Sequence, residues 1–207
     1  MADRLTLVFD ADDTLWENNV LFERAFAAFC AWLAHPLHDE TAVRAVLVEV
    51  ETATVVSHGY GTRSFLRALQ TVFERLGERR ATAAEAAAIQ GFGTAMLRGD
   101  LELVPGVAAT LTELGGRHDL LLLTKGDPEE QQRKIDASTL APHFRSTHIV
   151  PDKHTDTYLR LAAEQDLDPA RTWMIGNSPR SDILPARAAG LNAVFIPNPY
   201  TWELELA

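Results

Sequence analysis

What the chain has little of narrows it first. It holds one cysteine, Cys30, in 207 residues, so no internal disulfide can form, which fits a reducing compartment. Cys30 falls in an amphipathic helical pattern and reads as a buried, inert thiol rather than a nucleophile. No apolar run approaches the ~18 residues of a membrane span, and the opening apolar stretch meets Asp10 too early for a secretory core. The expectation is a cytoplasmic protein with no membrane partner. Positive charge is also short: the formal net charge is −10. That balance argues against a partner held by its phosphate backbone, so no nucleic acid is expected. A local cation or a bound metal can still draw in a small anion. Only three of the nineteen basic residues are lysines, and Lys153 is one of them. Repeats, low-complexity tracts and long linkers are missing as well.

What is present is a soluble globular composition, 46% hydrophobic and 23% charged, organised around Leu5 to Thr14. Leu5 to Phe9 is a short β-prone run with almost nothing polar in it, as in a strand buried on both faces. It stops at Asp10, and Asp12 follows two residues later. In extended chain those carboxylates share one side, roughly 6–7 Å apart by strand rise. Just past a buried strand they would face the crevice where open α/β sheets bind ligands. An acidic turn after a strand is the plainer reading of the same ten residues.

From Val20 to Thr94 the periodicity is helical throughout. Leu21, Phe22, Ala25, Phe26, Phe29 and Leu33 form one apolar stripe. Asp39 looks like the N-cap of a second helix carrying Val43, Val46, Leu47 and Val50. Phe65, Leu66, Leu69, Val72, Phe73 and Leu76 mark a third, closed by Gly77. Thr82 and Glu85 make a capping box ahead of a fourth. After Leu101 strands and helices alternate. The strands expected are Leu120 to Leu123, Ser146 to Val150, Thr172 to Ile175 and Ala193 to Ile196. The helices between them begin at Pro105-Gly106, at Asp127-Pro128, around Thr155 and after Asn177. Alternating apolar strands and helices call for a parallel sheet covered on both faces. The fold class is therefore α/β, a doubly wound, Rossmann-like parallel sheet with an all-helical insertion. The expected domains are a core of residues 1–16 and 100–207 and a helical domain of residues 17–99.

Polar residues stand just past four core strands: Asp10 and Asp12, Thr124, Lys153, then Asn177 and Asp182. Strand ends on one edge of a parallel sheet converge, so these residues can share a pocket. Taken singly, Thr124 is a turn hydroxyl, Lys153 a surface charge and Asp182 an anion at a helix start.

These residues carry a resemblance to the haloacid dehalogenase superfamily, in the branch with a helical cap inserted after the first core strand. Its four motifs are similar to Phe9-Asp10-Ala11-Asp12-Asp13-Thr14, to Leu123-Thr124-Lys125-Gly126, to Lys153, and to Ile175-Gly176-Asn177-Ser178-Pro179-Arg180-Ser181-Asp182-Ile183. The resemblance implies a Mg²⁺-dependent phosphatase acting on a small phosphorylated metabolite. Asp10 would be the nucleophile, forming an aspartyl-phosphate. Asp12 would act as general acid, then base. Thr124, with backbone N–H groups around Ala11, Asp12 and Lys125, would hold the phosphoryl oxygens. Lys153 would offset repulsion between Asp10 and the incoming phosphate. Mg²⁺ would sit on Asp10, the Asp12 main-chain carbonyl and Asp182. Asn177 stands where relatives commonly carry an acid and would hydrogen-bond beside the metal. Asp13 replaces a common glycine and is expected to be a solvated turn residue, with an additional anion near the metal as the alternative.

The cap would select the substrate, with Trp16, Asn18, Phe22 and Arg63 as candidate contacts and Arg180 lining the site from the core. His35, His38 and His58 read as loop or helix-end residues. Phosphotransferase or mutase chemistry, 2-haloacid dehalogenation and a catalytically silent binding protein stay open. Asp12 favours phosphate esters, because relatives that displace halide generally lack a carboxylate there. The oligomeric state is not legible, and the tail from Asn198 to Ala207 would dock on the core or on another subunit.

Overall fold

The structure is a computed structural model that describes residues 4–98 and 101–206. The chain forms two compact units, one built from the residues through Asn19 together with those from Leu101 onward, the other from the residues in between. Asp13 accepts the backbone N–H groups of Asn18 and Asn19 at 2.9 and 3.0 Å, tying them to the loop after the first strand.

The core unit is a five-stranded sheet, every pair parallel, in the order β3-β2-β1-β4-β5. Its strands are β1 (Thr6–Phe9), β2 (Asp119–Lys125), β3 (Ser146–Val150), β4 (Thr172–Gly176) and β5 (Asn192–Phe195). All five lie where the apolar runs predicted them. β1 is central, pairing Val8 with Leu121 on one side and with Met174 on the other. The strand order reverses there, so the crevice past its C-terminal end is the ligand position of a doubly wound sheet.

Two apolar layers flank the sheet. One packs Phe9, Leu122, Leu111 and Ile135; the other packs Val8, Leu121, Leu123, Tyr158 and Met174. Alternate residues of β1 and β2 thus face opposite layers, as the two-residue period of a strand requires. The strand β5 departs from full burial: Val194 and Phe195 are 38% and 47% exposed. As the edge strand it has one neighbour, and its apolar run reads as covered only if burial is inferred from composition alone.

Between the strands run α5 (Val107–Gly115), α6 (Pro128–Ser138), α7 (Thr155–Glu164) and the short α8 (Leu184–Ala188). The start of α6 has the predicted chemistry: the Asp127 carboxylate accepts from Glu129 and Glu130 N–H at 3.0 Å each, with Pro128 in the first position. After β4, where a single helix was expected, a π-helical turn (Pro179–Ile183) precedes α8.

The second unit is all helical: α1 (Asn19–Leu33), α2 (Glu40–His58), α3 (Thr62–Leu76) and α4 (Ala83–Arg98). Its core joins Phe26, Phe29, Leu47, Phe65, Leu69, Val72 and Ile89. Asp39 caps α2 through Ala42 N–H at 2.9 Å, and the Thr82/Glu85 box closes with both reciprocal bonds. Each large apolar side chain buried along α3 contributes about 1.5–3 kcal/mol. That is why a sequence with so clear a stripe there folds as predicted.

Candidate active site

The site begins where β1 ends. The N–H of Asp10 still bonds to Ile175 carbonyl oxygen at 2.9 Å, extending the β1–β4 pairing by one residue. The chain then turns sharply, with Thr14 and Leu15 N–H groups both directed to the Ala11 carbonyl. Asp13 makes the turn in the left-handed region at φ 62°, a conformation Asp tolerates better than most residues. It is buried rather than solvated, which corrects the sequence expectation. Its carboxylate caps the entry to α1, and burial pushes its pKa up to about 6.

Around Asp10 the geometry is tight. One carboxylate oxygen accepts from Lys153 Nζ at 2.5 Å, the other from Thr14 Oγ1 at 2.9 Å. The same ammonium donates to Asp182 Oδ1 at 2.8 Å. Asp10, Lys153 and Asp182 are all buried, so residues from the ends of β1, β3 and β4 meet on one cation. Two buried carboxylates share that single ammonium. Burial, then the charge of Asp182, pushes Asp10 up to about 7 against the opposing pull of Lys153. Burial pulls Lys153 down, but the charges of Asp10 and Asp182 outweigh it and hold the ammonium above its ordinary range.

Asp182 is placed by a loop with little slack. Its second oxygen accepts from Ser178 N–H at 3.0 Å, and Tyr158 Oη donates to the Ser181 carbonyl at 2.8 Å. Gly176 is required beside it. A Cβ there would lie 2.2 Å from Asp182 Oδ2 and 2.5 Å from its carboxyl carbon. We expect Gly176→Ala to displace Asp182, costing about 1–3 kcal/mol by overpacking and about 10²-fold in any turnover that needs this carboxylate in place. Urea denaturation and steady-state assays on the same preparation check both numbers.

Asp12 is held by side chains whose part the sequence did not reveal. Trp16 Nε1 donates to Oδ1 at 2.7 Å, Gln131 Nε2 to Oδ2 at 3.1 Å, and Lys134 Nζ to both oxygens at 3.0 Å. Trp16 is fully buried, and its backbone carbonyl accepts from Asp13 N–H at 2.7 Å. Asn18 accepts from Lys134 Nζ at 2.8 Å. Thr124 is buried at the end of β2 and accepts from Gln131 Nε2 at 2.5 Å. Accepting leaves its own hydroxyl proton free to donate.

Lys125 and Arg180 face the tail. Lys125 Nζ donates to Ser181 Oγ at 2.8 Å and to Glu205 at 2.5 Å. The hydroxyls of Ser178 and Ser181 donate to Glu205 as well, both at 2.5 Å. Arg180 bonds to the Leu204 carbonyl at 3.0 Å and lines a surface groove with His154 and Leu184. The tail thus docks on the core. Asn177 is buried directly after β4. Phe22 and Arg63 belong to the helical unit, where Phe22 packs edge-on against Phe65 at 5.1 Å.

A five-stranded parallel sheet in this order, with two carboxylates on one buried lysine past its strand ends, places the chain among the doubly wound α/β proteins with a polar crevice at the switch point. The chain belongs to the haloacid dehalogenase-like hydrolases, whose family model matches residues 5–190. It is similar to a haloacid dehalogenase-like hydrolase from Xanthomonas campestris, with 32% identity and a TM-score of 0.87 over 99% of this chain and 85% of that one. A 2-haloacid dehalogenase from Pseudomonas syringae shares the fold at 22% identity and a TM-score of 0.62, covering 97% of this chain and 90% of that one. A predicted phosphoglycolate phosphatase from Haemophilus somnus does so at 18% and 0.64, covering 94% and 86%. No curated protein sequence matches the chain.

Proposed function

We propose that this hydrolase is a Mg²⁺-dependent phosphatase that cleaves a small phosphate monoester through an aspartyl-phosphate on Asp10. The observation that carries the reading is the bridging of Asp10 and Asp182 by Lys153, with Asp12 standing two residues along the same turn. A nucleophile for phosphorus, a cation against which a dianion can approach and a separate proton carrier are the parts the reaction requires. The insertion after β1 marks the capped branch of the family, which supports a small substrate over a phosphoprotein.

The residues fit a hard divalent cation. Lys153 takes one oxygen of Asp10 and one of Asp182, leaving Asp10 Oδ2 beside Thr14 and Asp182 Oδ2 beside Ser178 N–H. Among the described residues no three His, Cys, Asp or Glu side chains converge for a metal. Mg²⁺ is commonly held by one or two carboxylates with water and substrate phosphate, so this pair and the Asp12 main-chain carbonyl suit it. When bound, it supplies charge stabilisation at the phosphoryl oxygens.

In the first step an Asp10 oxygen attacks phosphorus while the bond from phosphorus to the ester oxygen breaks. Asp12 gives its proton to the departing alkoxide. In the second step water attacks the same phosphorus, its proton passes to Asp12, and the bond to Asp10 breaks, releasing phosphate. Thr124 Oγ1 and backbone N–H groups of the first loop hold the non-bridging oxygens. Lys153 keeps Asp10 oriented and balances the charge brought by substrate. Halide needs no proton to leave, so a carboxylate held as firmly as Asp12 is better explained by an alcohol leaving group.

The test is release of phosphate from an aryl phosphate with and without Mg²⁺, alongside halide release from a 2-haloacid. Phosphate release that needs the metal supports the reading; halide release alone contradicts it. Metal affinity gives a second check. Asp10 must be ionised to ligate, and its metal-free pKa is about 7, so binding should displace a proton. Calorimetric titration should show Mg²⁺ affinity falling about tenfold per pH unit below that value. An affinity flat across this range contradicts the placement of the metal on Asp10.

A further inference from the structure

We propose that Lys134 is a positioning residue for Asp12, fixing the carboxylate that carries the proton in both steps. The inference rests on the acid–base reading of Asp12 given above.

The argument starts on α6. Gln131 and Lys134 are three residues apart and so share a helical face. Both reach the loop after β1. An ammonium has three donors, and those of Lys134 are accounted for: two go to the Asp12 oxygens and one to Asn18 Oδ1. The donors of Trp16, Gln131 and Lys134 make four contacts with the two Asp12 oxygens, so one of them must give way when the carboxyl takes up or passes on a proton. Asp12 therefore cannot rotate about its side-chain bonds without losing several contacts at once. Gln131 ties the arrangement to Thr124 as well, so α6 sets the spacing between the proton carrier and the hydroxyl proposed to hold phosphate.

A purely surface ion pair would not look like this. The Lys134 side chain is 11% exposed and that of Asp12 is 23% exposed, and immobilising a lysine costs side-chain rotamer entropy. The three lysines of this chain are each paired with carboxylates: Lys125 with Glu205 and, at 3.8 Å, Asp152; Lys134 with Asp12 at 3.0 Å and, more loosely, Glu130 at 3.7 Å; Lys153 with Asp10 and Asp182. Lys125 ties the tail to the Ser181 hydroxyl beside Asp182, Lys153 bridges Asp10 and Asp182, and Lys134 holds the one residue that must change protonation twice.

The experiment is a double-mutant cycle on the full chain with Mg²⁺, using Lys134→Met, Asp12→Asn and both together, against an aryl and an alkyl phosphate. We expect Lys134→Met to lower kcat by about 10–100-fold with KM nearly unchanged. The loss should be larger for the alkyl ester, whose leaving group needs the proton more. In the Asp12→Asn background it should have no further effect. An equal loss in both backgrounds, or an unchanged kcat, overturns the inference while leaving the role of Asp12 standing. If Asp12→Asn itself leaves kcat unchanged, or the unaltered protein releases no phosphate, the acid–base reading fails and the inference with it. Lys134→Gln, which retains a donor and lower bulk, replaces the methionine variant should that one not fold, and the same outcomes apply.

Discussion

Asp10→Asn is expected to abolish turnover, by at least about 10⁴-fold, while leaving the fold in place. The amide is nearly the same size but cannot attack phosphorus as an anion. Stability should move in the opposite direction from activity. Because burial and Asp182 raise the Asp10 pKa to about 7, the folded chain binds a proton more tightly than the unfolded chain between about pH 4 and 7. Metal-free stability from this group is therefore fullest below that window and declines as pH rises through it. At about pH 8 Asp10→Asn removes a charge that the fold accommodates poorly, so the metal-free variant should unfold at higher urea than the parent. Phosphate release and urea midpoints at two pH values check both halves. A variant that loses activity and stability together would argue that Asp10 is a structural anion.

Lys153→Met should give the largest loss of stability. Its ammonium is the group that Asp10 and Asp182 share, and its side chain is 1% exposed. Removing one partner from a buried ion cluster typically costs about 3–5 kcal/mol, because the remaining charges are left without compensation. Here two carboxylates would be left facing each other. The penalty should shrink on acidification, since protonating either one relieves the repulsion, and it should shrink again in Lys153→Met combined with Asp10→Asn. Denaturant unfolding as a function of pH reads this directly. A loss below about 1 kcal/mol at neutral pH, the range of an exposed pair, would mean that the cluster is not closed as described.

Most of the fold was legible because its signals are local. Most strands are short apolar runs, β3 with its Ser146-Thr147-His148 opening being the weakest such signal, and the starts of α2, α4 and α6 carry capping residues whose bonds form as the sequence implies. The exposed edge at β5 was not legible, since the sequence of a strand does not say how many neighbours it has. The residues past the strand ends could be named in advance because a parallel sheet brings such ends together. The polar groups that support them could not: Gln131 and Lys134 lie on an exposed-looking helix, Glu205 in an acidic tail, and only tertiary contact joins them to Asp12 and Lys125. One signal did exist. A chain that uses arginine for nearly all its positive charge places each of its few lysines where a compact, three-donor ammonium is needed, and that pattern extends beyond Lys153 to Lys125 and Lys134. Asp13 misled for a different reason: a left-handed turn suits both a solvated residue and a buried cap, and only the positions of Asn18 and Asn19 decide between them.

The most direct test of the central claim is to mix the protein with a phosphate monoester and Mg²⁺, quench in acid within a single turnover, and map the digest by mass spectrometry. The account predicts a phosphoryl group on the peptide carrying Asp10, absent from Asp10→Asn and lost on standing at neutral pH. A phosphoryl group on another residue would contradict it, as would phosphate release with no adduct on Asp10 at any time, or an alkyl ester on Asp10 formed from a 2-haloacid with none from phosphate esters.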